Sequence, residues 1–266
     1  MSTSSNALVT IDPSTAALAA FGFTDSDPIK PSRLDLLQPI QVADEPGLIA
    51  GKFRDTQSNM QYDSINIVPI LMDAGRVLFP PGGELGAKPV CRSNNGVIPV
   101  INDDLVPQDG GKGCKDCVHS QWKRIGGKSI RPACNETGSF MFAELETGFV
   151  YRYNIKGMAL APLRDLKETI RKIVLVARSK GSFAPPYSLT FTLSSVKVKG
   201  TKGTYFLPKF TPTGQVNPAD LAKFASLYDY FSSRKGQSPA EEADSDPVGA
   251  AIEGEYVSTP KNYQQA

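Results

Sequence analysis

Residues 91–134 hold every cysteine of the chain: Cys91 opens CRSNNGVIP (91–99), Cys114 and Cys117 frame CKDC (114–117), and Cys134 closes PAC (132–134). Zinc takes four soft or borderline ligands at tetrahedral corners, and two cysteines separated by two residues can supply adjacent corners from one tight turn. The other two ligands would come singly from flanking segments, so that one ion pins three pieces of chain. This reading expects one structural zinc ion on Cys91, Cys114, Cys117 and Cys134, in a ribbon module over about residues 90–142. A closed four-sulfur site leaves no position for water or substrate, so the ion would hold structure and not catalyse. Two other readings stand beside it. Unligated buried cysteines behave as small apolar residues, and a redox CxxC pair would open a helix after a strand, a context this sequence lacks. His119, the only histidine, reads as a surface residue or a neighbour of the site, because four sulfurs already complete a tetrahedron.

Between the cysteines, Lys112, Lys115, Lys123, Arg124, Lys128 and Arg131 surround Trp122, the single tryptophan, with only Asp116 opposing them. Basic side chains can follow a phosphate backbone while an exposed ring stacks on bases; equally, Trp122 could pack beneath the cysteine turn. The charge pattern extends beyond this cluster. Residues 1–111 carry 7 basic and 13 acidic side chains, residues 112–209 carry 18 and 6, and residues 210–266 carry 4 and 8, which gives the net +2 of the 266-residue chain. A basic centre between acidic flanks is the pattern of a polyanion-binding surface with an acidic tail, or of a lysine-rich solvated face.

Outward from the cysteines, the apolar patterning is that of strands. Ile65, Ile67, Val68, Ile70 and Leu71 form a β-branched run bounded by polar turns, which predicts a buried strand. GFVYRYNIKGM (148–158) alternates as a strand, and Tyr187–Lys199 with Tyr205–Phe210 around a Gly200–Gly203 turn reads as a hairpin. Two helices are expected. One runs over 162–180, with Leu163, Leu166, Ile170 and Ile173 on one face and Arg164, Lys167, Arg171, Lys172 and Arg178 on the other. The second runs over 217–233, with Asn217 as its cap and Leu221, Phe224, Leu227, Tyr228 and Phe231 as its core face. Residues 1–30 read as a flexible arm, 31–235 as one β-rich domain, and 236–266 as a disordered acidic tail.

No stretch reaches the roughly 20 apolar residues that cross a bilayer, and no basic-then-apolar leader opens the sequence, which places the protein in the cytoplasm with no membrane partner. Glycine-rich pieces such as PPGGELG, DGGKG and RIGGK lack the strand and helix context of a phosphate loop. With one histidine, a Ser-His-Asp triad or a two-histidine metal site is hard to build, so no enzymatic activity is expected.

CRSNNGVIP, CKDC, Trp122 and PAC together resemble a group of bacteriophage-encoded zinc-ribbon proteins, and the resemblance runs from Leu37–Pro39 to GTYFLPKF (203–210). The arrangement is also similar to single-stranded-DNA-binding proteins in which an OB-fold barrel carries an inserted four-cysteine ribbon, as in the large subunit of replication protein A. The expectation is therefore a β-rich α+β protein: an OB-like barrel with an inserted four-cysteine zinc ribbon and two flanking helices. It would bind single-stranded DNA in phage replication or recombination, in the cytoplasm of the bacterial host. Lys123, Arg124, Lys128, Arg131, Arg171 and Lys172 would contact phosphates, and Trp122, Tyr151 and Tyr153 would stack on bases. The acidic tail would compete with DNA or recruit replication proteins. Two alternatives are a module that docks on a polymerase and a structural component of a virion.

Overall fold

The computed structural model describes residues 30–43, 45–80, 88–101, 113–201 and 203–234. The acidic tail, and all of the N-terminal arm but residue 30, lie outside the described residues. The strands are β1 (Ser32–Leu36), β2 (Phe53–Asp55), β3 (Gln61–Tyr62), β4 (Ser64–Leu78), β5 (Cys91–Ser93), β6 (Val100–Ile101), β7 (Lys123–Ile125), β8 (Lys128–Ile130), β9 (Asn135–Glu144), β10 (Val150–Lys156), β11 (Leu189–Gly200) and β12 (Gly203–Gln215). The helices are α1 (Pro39–Val42), α2 (Leu160–Ser179) and α3 (Leu221–Ser233).

The β-branched run at 65–71 is a strand, and it continues twice as far as its apolar part. β4 pairs with β9 along one edge from Ile67 to Val77. Its other edge is divided: β11 takes Ser64–Ile67 and β5 takes Arg76–Leu78. The sheet order is β12-β11-β4-β9-β10-β1-β2-β3, with β6 joined through β5. All its pairings are antiparallel except that of β1 with β10.

Successive residues of a strand point to opposite faces, and here both faces are covered. On the inner face Ile65, Ile67, Phe140, Phe142, Tyr151, Tyr153 and Ile155 pack with Leu163, Leu166 and Ile170 of α2. On the outer face Val68, Ile70, Met141, Ala143 and Val150 pack with Phe224, Leu227 and Phe231 of α3. A bulge lies between Pro69 and Leu71, where the register against β9 shifts by one residue. It leaves Ile70 and Leu71 together on the outer side and adds local twist. The two helices expected from the sequence are both present. The second begins later than expected: Asn217 accepts a hydrogen bond from the Ala219 amide at 3.1 Å in a preceding turn, and the regular helix starts at Leu221.

The sheet curls into a half-barrel. Phe210 of β12 meets Phe140 of β9 edge to face at 5.6 Å between ring centres, although β11 and β4 separate the two strands. The ends of the curl are tied by one side chain. Gln38, just after β1, donates from Nε2 to the Phe206 carbonyl at 3.0 Å and accepts the Phe206 amide on Oε1 at 2.9 Å. A side-chain amide thus stands in for the backbone of a neighbouring strand at the outer edge of β12. Gly51 lies in the same joint with φ +90°, and a Cβ there would sit 2.5 Å from the Phe206 ring. Ser195 Oγ completes the tie by donating to the Gly51 carbonyl at 2.5 Å. β12 also carries Pro208 and Pro212, which an edge strand tolerates because no outer neighbour needs their missing amides.

Two stability predictions follow from these contacts. Gln38→Ala leaves the Phe206 amide and carbonyl without their partner, and the expected loss is about 1–3 kcal/mol in urea unfolding; an unchanged midpoint would remove the tie from the account. Asp55 is buried and accepts hydrogen bonds from Ser32 Oγ, from Ser58 Oγ at 2.7 Å and from the Gln57 amide at 2.9 Å. Burial alone would raise its carboxyl, and these donors outweigh burial and hold it below the usual aspartate range. A depressed carboxyl stabilises fully above the unfolded value and loses that contribution as pH falls through the folded value. Asp55→Asn should therefore be less stable than the parent at pH 7, with the difference closing only in strong acid.

Candidate nucleic-acid interface and the cysteine segments

The far end of β4 gathers the chain's cysteine-bearing segments. Leu78 pairs with Cys91 on one edge, and Val77 pairs with Asn135, the residue after Cys134, on the other. Leu78, Val90, Cys91 and Cys134 pack together there. The CKDC turn is held to the same region by backbone contacts: the Cys114 amide donates to the Val97 carbonyl and the Cys134 amide to the His119 carbonyl, both at 2.8 Å. Ser120 closes the turn, its Oγ donating to the Cys114 carbonyl at 2.5 Å and to the Cys117 carbonyl at 2.8 Å.

All four cysteines are free thiols. Burial pushes the Cys91 thiol up, and the nearby Cys114 and Cys117 add to the shift. Burial pushes Cys134 up to about 11; Arg76 opposes this, and the other three cysteines reinforce it. His119 Nε2 is buried with no hydrogen-bond partner. Among the described residues no three His, Cys, Asp or Glu side chains stand in the arrangement that holds a metal ion. The fold brings the three cysteine-bearing segments to one strand end and does not draw the four sulfurs into a tetrahedron.

From these segments a separate two-stranded ribbon emerges. β7 and β8 pair Lys123 with Ile130, Arg124 with Ser129 and Ile125 with Lys128, and they join no other strand among the described residues. Gly126 and Gly127 connect them with φ of +58° and +78°. Positive φ at both central residues is the two-residue turn that matches the twist of a hairpin, which glycine enters without strain. Every residue from Gln121 to Arg131 is exposed. By strand alternation Lys123, Ile125, Lys128 and Ile130 share one side, and Trp122, Arg124, Ser129 and Arg131 share the other. Trp122 is 67% exposed, so it does not pack beneath the cysteine turn. Arg131 is steadied by a bond from Nη2 to Asn135 Oδ1 at 3.2 Å.

The other expected contact residues divide. Arg171 and Lys172 are exposed on α2, with Arg171 3.7 Å from Glu168 on the same helix. Tyr151 and Tyr153 are not stacking residues: they are 3% and 4% exposed, on the inner side of β10. The alternation that marks 148–158 as a strand also assigns its tyrosines to the core, because Tyr151, Tyr153 and Ile155 share one side. The Tyr151 hydroxyl lies 3.3 Å from that of Tyr62, and burial raises both Tyr151 and Tyr153 far above the usual phenol range. Lys112 falls outside the described residues. RIGGK has no phosphate-loop context, and Lys-Arg-Ile and Lys-Ser-Ile around Gly-Gly are the hairpin signature by which the sequence marks this ribbon. No helix among the described residues is long and apolar enough to cross a membrane.

Comparison with protein-family models, with curated proteins and with solved structures finds no match to this chain.

With its ring in water, Trp122 should show red-shifted emission in the native protein and be quenched by iodide nearly as well as free tryptophan. Blue-shifted, protected emission would place the ring in a packed site.

Proposed function

We propose that this chain is a non-catalytic single-stranded-DNA-binding protein that engages its ligand through the β7–β8 ribbon. The observation that carries this reading is the ribbon itself: Trp122, Lys123, Arg124, Lys128 and Arg131 are all exposed on or beside a hairpin that, among the described residues, pairs with no strand of the main sheet. Cations at this spacing follow phosphates and make affinity salt-dependent. A tryptophan among them gives any base a π-face to stack on, which favours unpaired strands. Arg171 and Lys172, exposed on α2, are further candidate phosphate contacts.

The finer architecture in this reading is an OB-like barrel whose inserted ribbon is fastened by one zinc ion on Cys91, Cys114, Cys117 and Cys134. Four thiols suit zinc chemically, and their three segments already converge at the end of β4. The ion would supply rigidity at the base of the ribbon. The phage setting and the cytoplasmic location come from the resemblance of the cysteine segments, and the acidic C-terminal residues would compete with DNA for the basic surface or recruit replication proteins.

A second reading is favoured by Ile125 and Ile130, which are 62% and 44% exposed beside the lysines. Apolar side chains on a basic ribbon also suit docking on an acidic protein surface such as that of a polymerase.

Titration of the protein with oligo-dT at two salt concentrations, followed by Trp122 emission, separates the two. Single-strand binding predicts quenching, weaker binding at the higher salt and, read by the anisotropy of a labelled oligonucleotide, a loss of about 5- to 150-fold for Trp122→Ala, the value of one stacked base. Lys123→Glu with Arg124→Glu should lower affinity and flatten the salt dependence. Absence of binding to any oligonucleotide would overturn the reading. Elemental analysis should find one zinc per chain, and none would remove the metal from it.

A further inference from the structure

A second basic ribbon stands at the opposite end of β4. β11 and β12 pair along their whole length, from Leu189 with Gln215 to Gly200 with Gly203. β11 is paired to β4 only over Phe191–Ser194. Beyond Ser194 the hairpin keeps its own ladder and runs past the start of β4, fastened at its base by the Ser195–Gly51 bond and the Gln38–Phe206 pair. Residues 195–209 contain no Asp or Glu. Lys197 and Lys199 lie on one side of the ribbon and Lys209 on the other, all exposed, and among the described residues no carboxylate pairs with them. Such a charge run costs self-repulsion and adds nothing to the core, and it is available to an anion outside the chain.

The placement gives the site its ligand class. β7–β8 is rooted where β4 ends, and the β11–β12 tip projects from where β4 begins. At about 3.3 Å per residue β4 spans about 46 Å when straight, with curling shortening the direct path. A polyanion that touches both ribbons must have a comparable length, which is about 14 nucleotides for a strand stacked at the ~3.4 Å rise of a duplex and fewer for an extended one.

We infer that Lys197, Lys199 and Lys209 form a second phosphate-contacting site, and that the two ribbons together hold one continuous single strand long enough to span them, about 14 nucleotides when stacked. This rests on the single-strand reading above and adds to it a length requirement and three residues.

The test compares dT4, too short to span the ribbons even when extended, with dT30, using the full-length protein and the pair Lys197→Glu and Lys199→Glu. Two lost phosphate contacts on a single strand lower the log-log salt slope by about 1.4, a deficit of about 25-fold in affinity for dT30 over one decade of salt. The same variant should bind dT4, captured at β7–β8, as the parent does. Lys197→Gln with Lys199→Gln, read by the same slope, excludes an effect of introduced negative charge, and an unchanged unfolding midpoint confirms that the fold is intact. Equal binding of dT30 by parent and variants, while Lys123→Glu with Arg124→Glu still loses affinity, overturns this inference and leaves the function standing. Failure of the parent to bind either probe overturns both.

Discussion

Strand β4 carries the structure because it is used on every side. Its inner face meets α2 through the aromatic cluster, its outer face meets α3, one edge takes β9 and the other is divided between β11 and β5. A strand paired on both edges has few unsatisfied backbone groups, and one buried on both faces gains the hydrophobic effect twice. Its length does something further. A strand of ordinary length would end within the core, whereas β4 runs beyond the packed region and offers Arg76–Leu78 as a rail for the cysteine segments.

The curl of the sheet depends on a smaller device. An open sheet exposes an edge strand that can recruit another chain. Here the outer edge of β12 is met by the Gln38 amide, the Phe206 ring is seated against a glycine, and two prolines interrupt its hydrogen-bonding row. Satisfying one residue by a side chain is enough to fix where the two ends of the half-barrel approach, because the inner aromatic cluster fills the space between them.

The basic elements lie where this frame stops. Among the described residues the β7–β8 ribbon and the tip of β11–β12 beyond the Gln38–Phe206 tie pair with no other strand, so their side chains can be chosen for charge. Neighbouring basic residues nearer the sheet are instead used to join elements: Arg76 bonds Glu136 at 3.1 Å, and Arg164 reaches the same carboxylate from α2. The difference between a structural and an available cation follows from the distance to a carboxylate and not from residue type.

Much of this was legible in the residues alone. Period-two alternation marks β10 and the β11–β12 hairpin, three- and four-residue spacing marks α2 and α3, and the β-branched run marks the first half of β4, because each of these patterns is local and records which side of an element is dry. The second half of β4, MDAGRVL (72–78), is less apolar and owes its extension to partners far away in sequence. Tertiary structure alone decided that Trp122 is in water, that Gln38 meets Phe206, and that the far end of β4 is where the cysteine segments are brought together. Each of these turns on a contact between residues distant in the chain, which sets burial but leaves no local period to read.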